Sequence, residues 1–252
     1  MHRQEWGHRV ALVTGASSGI GAAIARRLAE MGMKVAITAR RADRLQAVAA
    51  EIEGKGGECM SLCLDVRDED AVLSAFDEIR SNWGGVDVLI NSAGLGRVAP
   101  LMSGDTEAWR EMLEVNVLSL AVFTREALAD MRRRGDCGHI IHISSMSAHR
   151  VPTGTGGMYS ATKHAVRAMT EALRRELRAQ ESGTRITAVS PGFVETEFAE
   201  VMLGDAEAAE AVYARYPCLQ SDDVANTVQH ILEQPPHVQI HDVLMRPHQQ
   251  DS

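Results

Sequence analysis

The sequence predicts an α/β fold: one doubly wound parallel sheet with helices on both faces. Three observations predict it. Short apolar runs such as Val10-Ala11-Leu12-Val13 alternate with segments of helical period along the chain. Strands buried on both faces read as such unbroken runs, and strand–helix alternation builds a parallel sheet covered on both sides. The first run passes through a glycine-rich turn straight into a helix. Finally, the 252 residues hold no Pro/Gly/Ser linker, internal repeat or low-complexity segment, so residues 1–252 are expected to form one domain.

Each element follows from its own residues. After the first strand, Thr14-Gly15-Ala16-Ser17-Ser18-Gly19-Ile20-Gly21 is the turn, and Ala22 to Glu30 is helical in period, stopped by Gly32. Lys34 to Ala39 is the second strand, and a helix runs from about Ala42 to Glu53. Cys59 to Leu64 is the third strand, followed by Asp65-Val66 and a helix over about Glu69 to Asn82. Val86 to Ile90 is the fourth strand; a long helix containing Asn116 leads to the fifth at 138–144. A helix starting near Tyr159, a strand at Arg185–Ser190, a helix at about Ser221–Glu233 and a last strand near 238–245 complete the series. Residues 193–220 break the regularity, with Phe193, Phe198, Met202 and Tyr213 set among alanines and acids. They fit two surface helices with apolar faces, or a segment covering the crevice at the carboxyl ends of the strands.

Composition excludes several classes of partner. The net charge is −8, which argues against nucleic acid and anionic membranes, since both select basic patches. No run reaches the ~20 apolar residues of a spanning helix. The N-terminal Met1-His2-Arg3-Gln4-Glu5-Trp6 lacks the apolar core of a signal peptide, so a reducing cytoplasm is the expected location. Cys59, Cys63, Cys137 and Cys218 lack C-x-x-C spacing; Cys59 and Cys63 alternate with apolar residues and are expected to be buried thiols. The ten histidines show no H-E-x-x-H spacing, so no metal is expected.

Chemistry concentrates in two stretches. Glycines at 15, 19 and 21 between a strand and a helix let the backbone approach a phosphate, and the helix N-terminus supplies N–H donors and a positive dipole end. Tyr159 and Lys163 are four apart at the head of a helix, so phenol and ammonium project to one side. A cation beside a phenol favours the phenolate, so Lys163 is expected to lower the Tyr159 pKa and make Tyr159 a proton donor and acceptor near neutral pH. Ser145 ends the fifth strand, where its hydroxyl could hold a substrate oxygen. No G-x-S-x-G elbow surrounds it, which excludes an acyl nucleophile.

T-G-A-S-S-G-I-G at 14–21, N-S-A-G at 91–94, Val115-Asn116-Val117, Ser145 ahead of Tyr159-x-x-x-Lys163, and Pro191-Gly192 occur in one order. In carrying them, from about residue 8 to its C-terminus, the chain resembles the short-chain dehydrogenase/reductase family. Met146-Ser147-Ala148-His149-Arg150, Val194-Glu195-Thr196 and the tail Gln239 to Pro247 resemble, more narrowly, its NADP-dependent carbonyl and hydroxysteroid reductase branch. The resemblance implies a Rossmann-type sheet and hydride transfer between a nicotinamide and a carbonyl or alcohol carbon. It makes Tyr159 the acid for reduction and the base for oxidation. Lys163 would hold the nicotinamide ribose, Ser145 the reacting oxygen, and Asn116 a water in a proton relay. Gly15, Ser17, Ser18, Gly19, Ile20 and Gly21 would form the phosphate turn, and Asp65 and Val66 would contact adenine. Asn91 and Gly94 would lie under the adenine ribose. Pro191, Gly192, Val194 and Thr196 would hold the carboxamide and pyrophosphate. The resemblance also makes 193–220 a mobile lid and pairs the Tyr159 helix across a two-fold axis, which implies a homodimer or homotetramer.

Two departures from the family pattern stand out. N-S-A-G replaces the commoner N-N-A-G. Ser145 lies fourteen residues before Tyr159 rather than thirteen, which an extra residue in the Val151-to-Met158 loop explains; Ser147, twelve before, stays a second candidate. His149 and Arg150, near the active serine, fit either the substrate mouth or a surface loop.

The second strand ends Thr38-Ala39-Arg40-Arg41, with no acid before Asp43. An NAD site of this fold needs an acid there for the ribose hydroxyls, whereas arginine grips a 2′-phosphate. NADP(H) is therefore the expected cofactor, with Arg40 as the main clamp and Arg41 as its neighbour. The apolar residues of 193–220 suggest a hydrophobic small-molecule carbonyl or alcohol, such as a steroid, isoprenoid or aromatic ketone. Two alternatives stand beside this: an NADP-dependent dehydrogenase of small 3-hydroxy acids, and a non-catalytic dinucleotide sensor. An arginine aimed into the pocket would favour the first; intact Asn116, Ser145, Tyr159 and Lys163 argue against the second.

Overall fold

The computed structural model describes residues 6–152 and 156–250. At its centre lie β1 (Val10–Thr14), β2 (Lys34–Ala39), β3 (Glu58–Cys63), β4 (Val88–Asn91), β5 (His139–Ile143), β6 (Arg185–Pro191) and β7 (Asp242–Met245). They form one parallel sheet in the order β3-β2-β1-β4-β5-β6-β7. This is the expected Rossmann-type, doubly wound sheet. The winding reverses between β1 and β4, and a sheet of this kind opens its crevice beyond the carboxyl ends of the strands at that point.

Register explains why both faces are apolar. Leu12, Leu89, Ile140 and Ile186 pair across four strands, and all four belong to the core under α3 (Glu69–Trp83), α5 (Ser119–Arg133) and α6 (Gly157–Ala179). One residue on, Val13, Ile90 and Ile141 pair in turn and face the core under α1 (Gly19–Glu30), α2 (Ala42–Gly54) and α9 (Ser221–Leu232). Side chains alternate along a strand, so a strand buried on both faces must be apolar at every position. Phe76 of α3 and Phe123 of α5 meet with ring centroids 5.9 Å apart.

Some expectations shift. The fourth strand begins at Val88; just before it, the Asp87 carboxylate accepts from the Val10 amide and from Arg9 and Arg134 at the amino edge of the sheet. Burial alone would raise the Asp87 pKa, but the bonds from Arg134 and Val10 hold it below the ordinary carboxylate value. The last strand is confined to Asp242–Met245. Cys63 is exposed and Cys59 only half-buried, against the expected burial, because β3 is an edge strand. No disulfide joins the four cysteines. The long helix before β5 is α4 (Thr106–Leu113) and α5 joined by a π-helical turn at Glu114–Leu118, where the Ser119 amide reaches back five residues to the Glu114 carbonyl. Such turns recur at functional sites, and Asn116 sits in this one. The 193–220 segment contains α7 (Phe198–Leu203) and α8 (Ala206–Tyr213).

A buried polar chain ties the middle of the sheet to its helices. Asn91 Nδ2 donates to Thr124 Oγ1 at 3.1 Å, and Thr124 Oγ1 lies 3.3 Å from His142 Nε2. His142 Nδ1 lies 2.9 Å from Thr170 Oγ1, which itself donates to the Val166 carbonyl. Because the Thr170 proton is committed to Val166, His142 must carry its proton on Nδ1 and accept from Thr124 at Nε2. The ring is neutral: desolvation, and then the nearby Lys163 charge, lower its pKa to about 3. The unfolded chain takes up that proton near pH 6.5. Between these values the unfolded state binds more protons, so stability should fall as pH drops below about 6.5, by ~1.4 kcal/mol per pH unit for this one histidine. Urea unfolding at several pH values should show a shallower acid loss in His142→Asn than in the native protein. Equal slopes would contradict a buried neutral His142.

Candidate active site

The glycine turn is built for close approach. Gly15 has φ +67°, and a Cβ there would lie 2.8 Å from the Ala93 Cα; one at Gly21 would lie 2.4 Å from the Gly15 carbonyl oxygen. Thr14 Oγ1 accepts from the Ser92 and Ala93 amides at 3.0 and 2.9 Å, clamping the carboxyl ends of β1 and β4 together at the switch point. Helix α1 starts at Gly19 with no acidic residue in its first turn, so its amide end is left for an anion. Ile20 packs against the core beneath. Thr196 covers Gly19, whose added Cβ would meet its methyl at 3.2 Å.

Arg41, expected as the neighbour of the main clamp, is the arginine that reaches this turn. Arg41 Nε and Nη2 donate to Ser17 Oγ at 3.2 and 3.0 Å, and Nη2 donates to Ser18 Oγ at 2.7 Å. Arg40 is exposed, and its backbone carbonyl accepts from the Cys63 thiol. Successive residues leaving a strand point opposite ways, so only one of the pair can face the turn, and it is the second. Asp65 binds Arg67, whose hydrogen bonds hold its carboxyl below the ordinary range. Val66 joins the small cluster of Leu95, Ala99, Met112 and Tyr159. Asn91 is buried, its amide nitrogen bonded to Thr124. Pro191 ends β6, and Gly192 donates to the Met245 carbonyl at 2.7 Å. Val194 bridges to Leu219, and Thr196 Oγ1 accepts from the Phe198 amide at 3.2 Å.

Ser145, Tyr159, Lys163 and Asn116 converge beyond the ends of β4 and β5. Ser145 Oγ accepts from the Ser147 amide at 3.1 Å and lies beside the Tyr159 phenol, whose pKa it lowers. Ser145 rather than Ser147 is therefore the serine on Tyr159. Residues 153–155 of the Val151–Met158 loop, where an extra residue was expected, lie outside the described residues. Lys163 is buried; its Nζ donates to the Ile143 carbonyl at 3.0 Å and stands 5.8 Å from the centre of the Tyr159 ring. Gly94 leaves bare backbone beside it: a Cβ there would lie 3.6 Å from Lys163 Nζ and 3.4 Å from Asn116 Oδ1.

The electrostatics differ from expectation. Burial pushes the Tyr159 phenol up to about 12, opposed by Ser145, and burial lowers Lys163 to about 8. The ammonium lies under the ring with a carbonyl partner of its own, so its field does not overcome desolvation of the phenolate. Without cofactor Tyr159 is a protonated acid. Asn116 also departs from a simple relay. Its Nδ2 donates to the Leu95 carbonyl and to Thr162 Oγ1 at 2.8 and 3.0 Å, and its Oδ1 accepts from the Leu95 amide at 2.9 Å. Both amide hydrogens are occupied, so the side chain fixes the strand-end backbone. His149 turns away from the mouth: its Nε2 lies 3.0 Å from Asp242 Oδ2 and 3.3 Å from Ser190 Oγ.

The α7 segment covers these groups. Phe198 meets the Tyr159 ring with centroids 5.4 Å apart. Gly96 admits Met202 and Phe198, which an added Cβ would meet at 2.9 and 3.1 Å. Arg97 binds Glu111 and the Val201 carbonyl, and Glu197 bonds to both Arg41 and Arg44. Glu197, Arg44, Leu95 and Thr162 escaped the sequence reading, since no local motif marks partners so far away in the chain.

A family profile described as short chain dehydrogenase matches residues 9–208. The chain belongs to the short-chain dehydrogenase/reductase family, a family of oxidoreductases. Its relatives include dehydrogenase/reductase SDR family member 11 of Gallus gallus, 49% identical and covering 99% of this chain and 100% of that protein. The runs at 146–150, 194–196 and 239–247 pointed to this branch. Farnesol dehydrogenase of Aedes aegypti is 38% identical, over 96% of this chain and 97% of its own length. Among solved structures, the closed form of serine dehydrogenase complexed with NADP+ superposes with a TM-score of 0.90 at 35% identity, covering 96% of each chain.

Ultraviolet difference titration of cofactor-free native protein against Tyr159→Phe tests the state of the phenol. Tyr159 should stay protonated at about pH 10, where an exposed tyrosine is half ionised. A Tyr159 phenolate appearing near neutrality would contradict the dominance of burial.

Proposed function

We propose that the protein is an NADP(H)-dependent oxidoreductase interconverting ketones or aldehydes with alcohols, acting on hydrophobic substrates. The observation that carries this is the convergence of Ser145, the Tyr159 phenol, the buried Lys163 ammonium 5.8 Å from the centre of the Tyr159 ring, and the bare Gly94 backbone. The residues fit the cofactor. The cradle is close-packed: a Cβ at Gly15 or Gly21 would strike backbone and one at Gly19 would press on the Thr196 methyl, and it opens on the amide end of α1. Arg41 at Ser17 and Ser18 would grip the 2′-phosphate, with Arg40 beside it. Val194 and Thr196 would close over the pyrophosphate and carboxamide, and Asp65 and Val66 would flank the adenine. When bound, the nicotinamide supplies or accepts the hydride.

The chain's own residues handle the oxygen and its proton. Ser145 Oγ, oriented by the Ser147 amide, donates to the substrate oxygen. The Tyr159 phenol gives its proton to that oxygen in reduction and recovers one in oxidation. Lys163 holds the ribose hydroxyls and supplies the positive charge that eases loss of the phenolic proton once the ammonium is drawn toward them. Asn116 is a positioning residue, holding Leu95 and, through Thr162, the turn of α6 that carries Tyr159. Asn91 and Gly94 shape the floor below.

Apolar groups surround this centre. Phe198 and Met202 stand over it, Leu95 and Val66 pack beside Tyr159, and Val98, Leu101 and Val151 are exposed. The name of the farnesol dehydrogenase relative accords with a hydrophobic substrate. A second reading, a dehydrogenase of small 3-hydroxy acids, has the structural likeness to serine dehydrogenase in its favour. It needs a cation for the acid group, and Arg97 is already bonded to Glu111 and Val201. We also propose a cytoplasmic homodimer or homotetramer, supported by Ala168 and Ala172 standing exposed on α6. Among the described residues no helix is long and apolar enough to cross a membrane.

The test is NADPH oxidation across steroid, isoprenoid and aromatic carbonyls against short 3-oxo acids, repeated with NADH. The apolar compounds should give the higher kcat/KM, and NADPH should be preferred ~10-fold or more, the size of one charge-assisted contact. Arg41→Asp should abolish that preference; Arg40→Asp should reduce it less. Preference for the 3-oxo acids would transfer the assignment to the second reading, and equal use of both cofactors by native enzyme would refute the phosphate clamp.

A further inference from the structure

The arginine that faces the glycine turn already holds an anion of the protein's own. Glu197 Oε2 accepts from Arg41 Nη1 at 2.8 Å, and Oε1 accepts from Arg44 Nη1. Hydrogen bonds from Arg41, then Arg44, hold the Glu197 carboxyl down at about 2, so it is ionised at any working pH. These groups are 39–47% exposed, so each pair is weak and exchangeable. Glu197 is also the residue that caps α7, and Phe198, next along, lies on the Tyr159 ring.

We infer that Glu197 tunes cofactor discrimination by competing with the 2′-phosphate of NADP(H) for Arg41. This rests on the NADP(H) assignment above. A phosphate monoester carries nearly two charges and three acceptor oxygens, so it outcompetes one carboxylate for Arg41, but it must displace that carboxylate or tolerate it as a neighbouring like charge. An adenosine 2′-hydroxyl meets no such opposition and can leave the Arg41–Glu197 pair intact. Glu197 therefore weakens NADP(H) selectively and leaves NAD(H) unaffected, narrowing a preference that Arg41 would otherwise make wider. Because the displaced carboxylate starts α7, arrival of the phosphate also releases one of the bonds fastening that helix over Tyr159.

The test is direct binding of NADP+ and NAD+ to cofactor-free protein, by calorimetry, in native, Glu197→Gln and Glu197→Ala forms at low salt. Both substitutions should tighten NADP+ by about 3- to 10-fold, the scale of one or two exposed ion pairs, with the NAD+ dissociation constant unchanged or weakened. The gain should shrink as salt rises. An unchanged or weaker NADP+ affinity in both variants would overturn the inference, as would equal changes for the two cofactors, which would mark a general effect of α7. If native protein binds NADP+ no better than NAD+, the cofactor assignment itself fails, and that is read before any variant is compared.

Discussion

A buried ammonium needs an acceptor, and much of the site follows from where Lys163 finds one. Its Nζ donates to the carbonyl of Ile143, the last residue of β5. Lys163 is too buried for water to satisfy it, so this bond fixes α6 against the end of the strand. Tyr159, one turn earlier on α6, is thereby set beside Ser145, which leaves the same strand two residues after Ile143. Shortening the lysine or shifting α6 by one turn would separate the phenol from the serine hydroxyl. The same burial keeps the phenol protonated and draws the Lys163 pKa down to about 8, so acid and base character here are governed by desolvation before any ligand charge enters.

The two edges of the sheet treat polar groups differently. At the amino edge Asp87 and Asp130 are buried carboxylates fully engaged by arginines and backbone amides, an arrangement that serves stability. At the carboxyl edge, polar groups are held in place without being used up. Ser144 Oγ is buried without a partner at the end of β5, and Thr38 Oγ1 likewise near the end of β2. Buried polar atoms are almost always bonded in a finished interior; His139 Nδ1, at the start of β5, and Ser160 Oγ, on α6, are unbonded as well. Asn116 has both amide hydrogens engaged and its Oδ1 on the Leu95 amide, and that is how it can hold the Leu95 backbone next to the glycine at 94.

The parallel sheet was legible because strands buried on both faces leave short apolar runs alternating with helical periods, as at Val10–Val13 and Ile140–Ile141. The glycine turn, Ser145, Tyr159 and Lys163 were legible because their chemistry depends on local spacing. What escaped depends on distance in sequence. The Arg41–Glu197 pair joins residues 156 apart, and choosing between Arg40 and Arg41 requires knowing which side of β2 faces the turn. The exposure of Cys63 follows from β3 lying at the sheet edge, which strand order alone decides. The Tyr159 pKa was read with the wrong sign because spacing gives the presence of a cation but neither its carbonyl partner nor the burial of the phenol.

The central claim is that Tyr159, held by Ser145 and Lys163, protonates an oxygen while hydride arrives from a nicotinamide on the same crevice. Its most direct test is isotope transfer. NADPH deuterated at the transferring position of C4 should deliver deuterium to the carbinol carbon of an apolar ketone in native enzyme. In Tyr159→Phe, transfer should fall by ~10²–10⁴-fold, the scale of a lost general acid, while the cofactor still binds with near-native affinity. Label found elsewhere in the product, or transfer at a native rate by the Phe variant, would contradict the account.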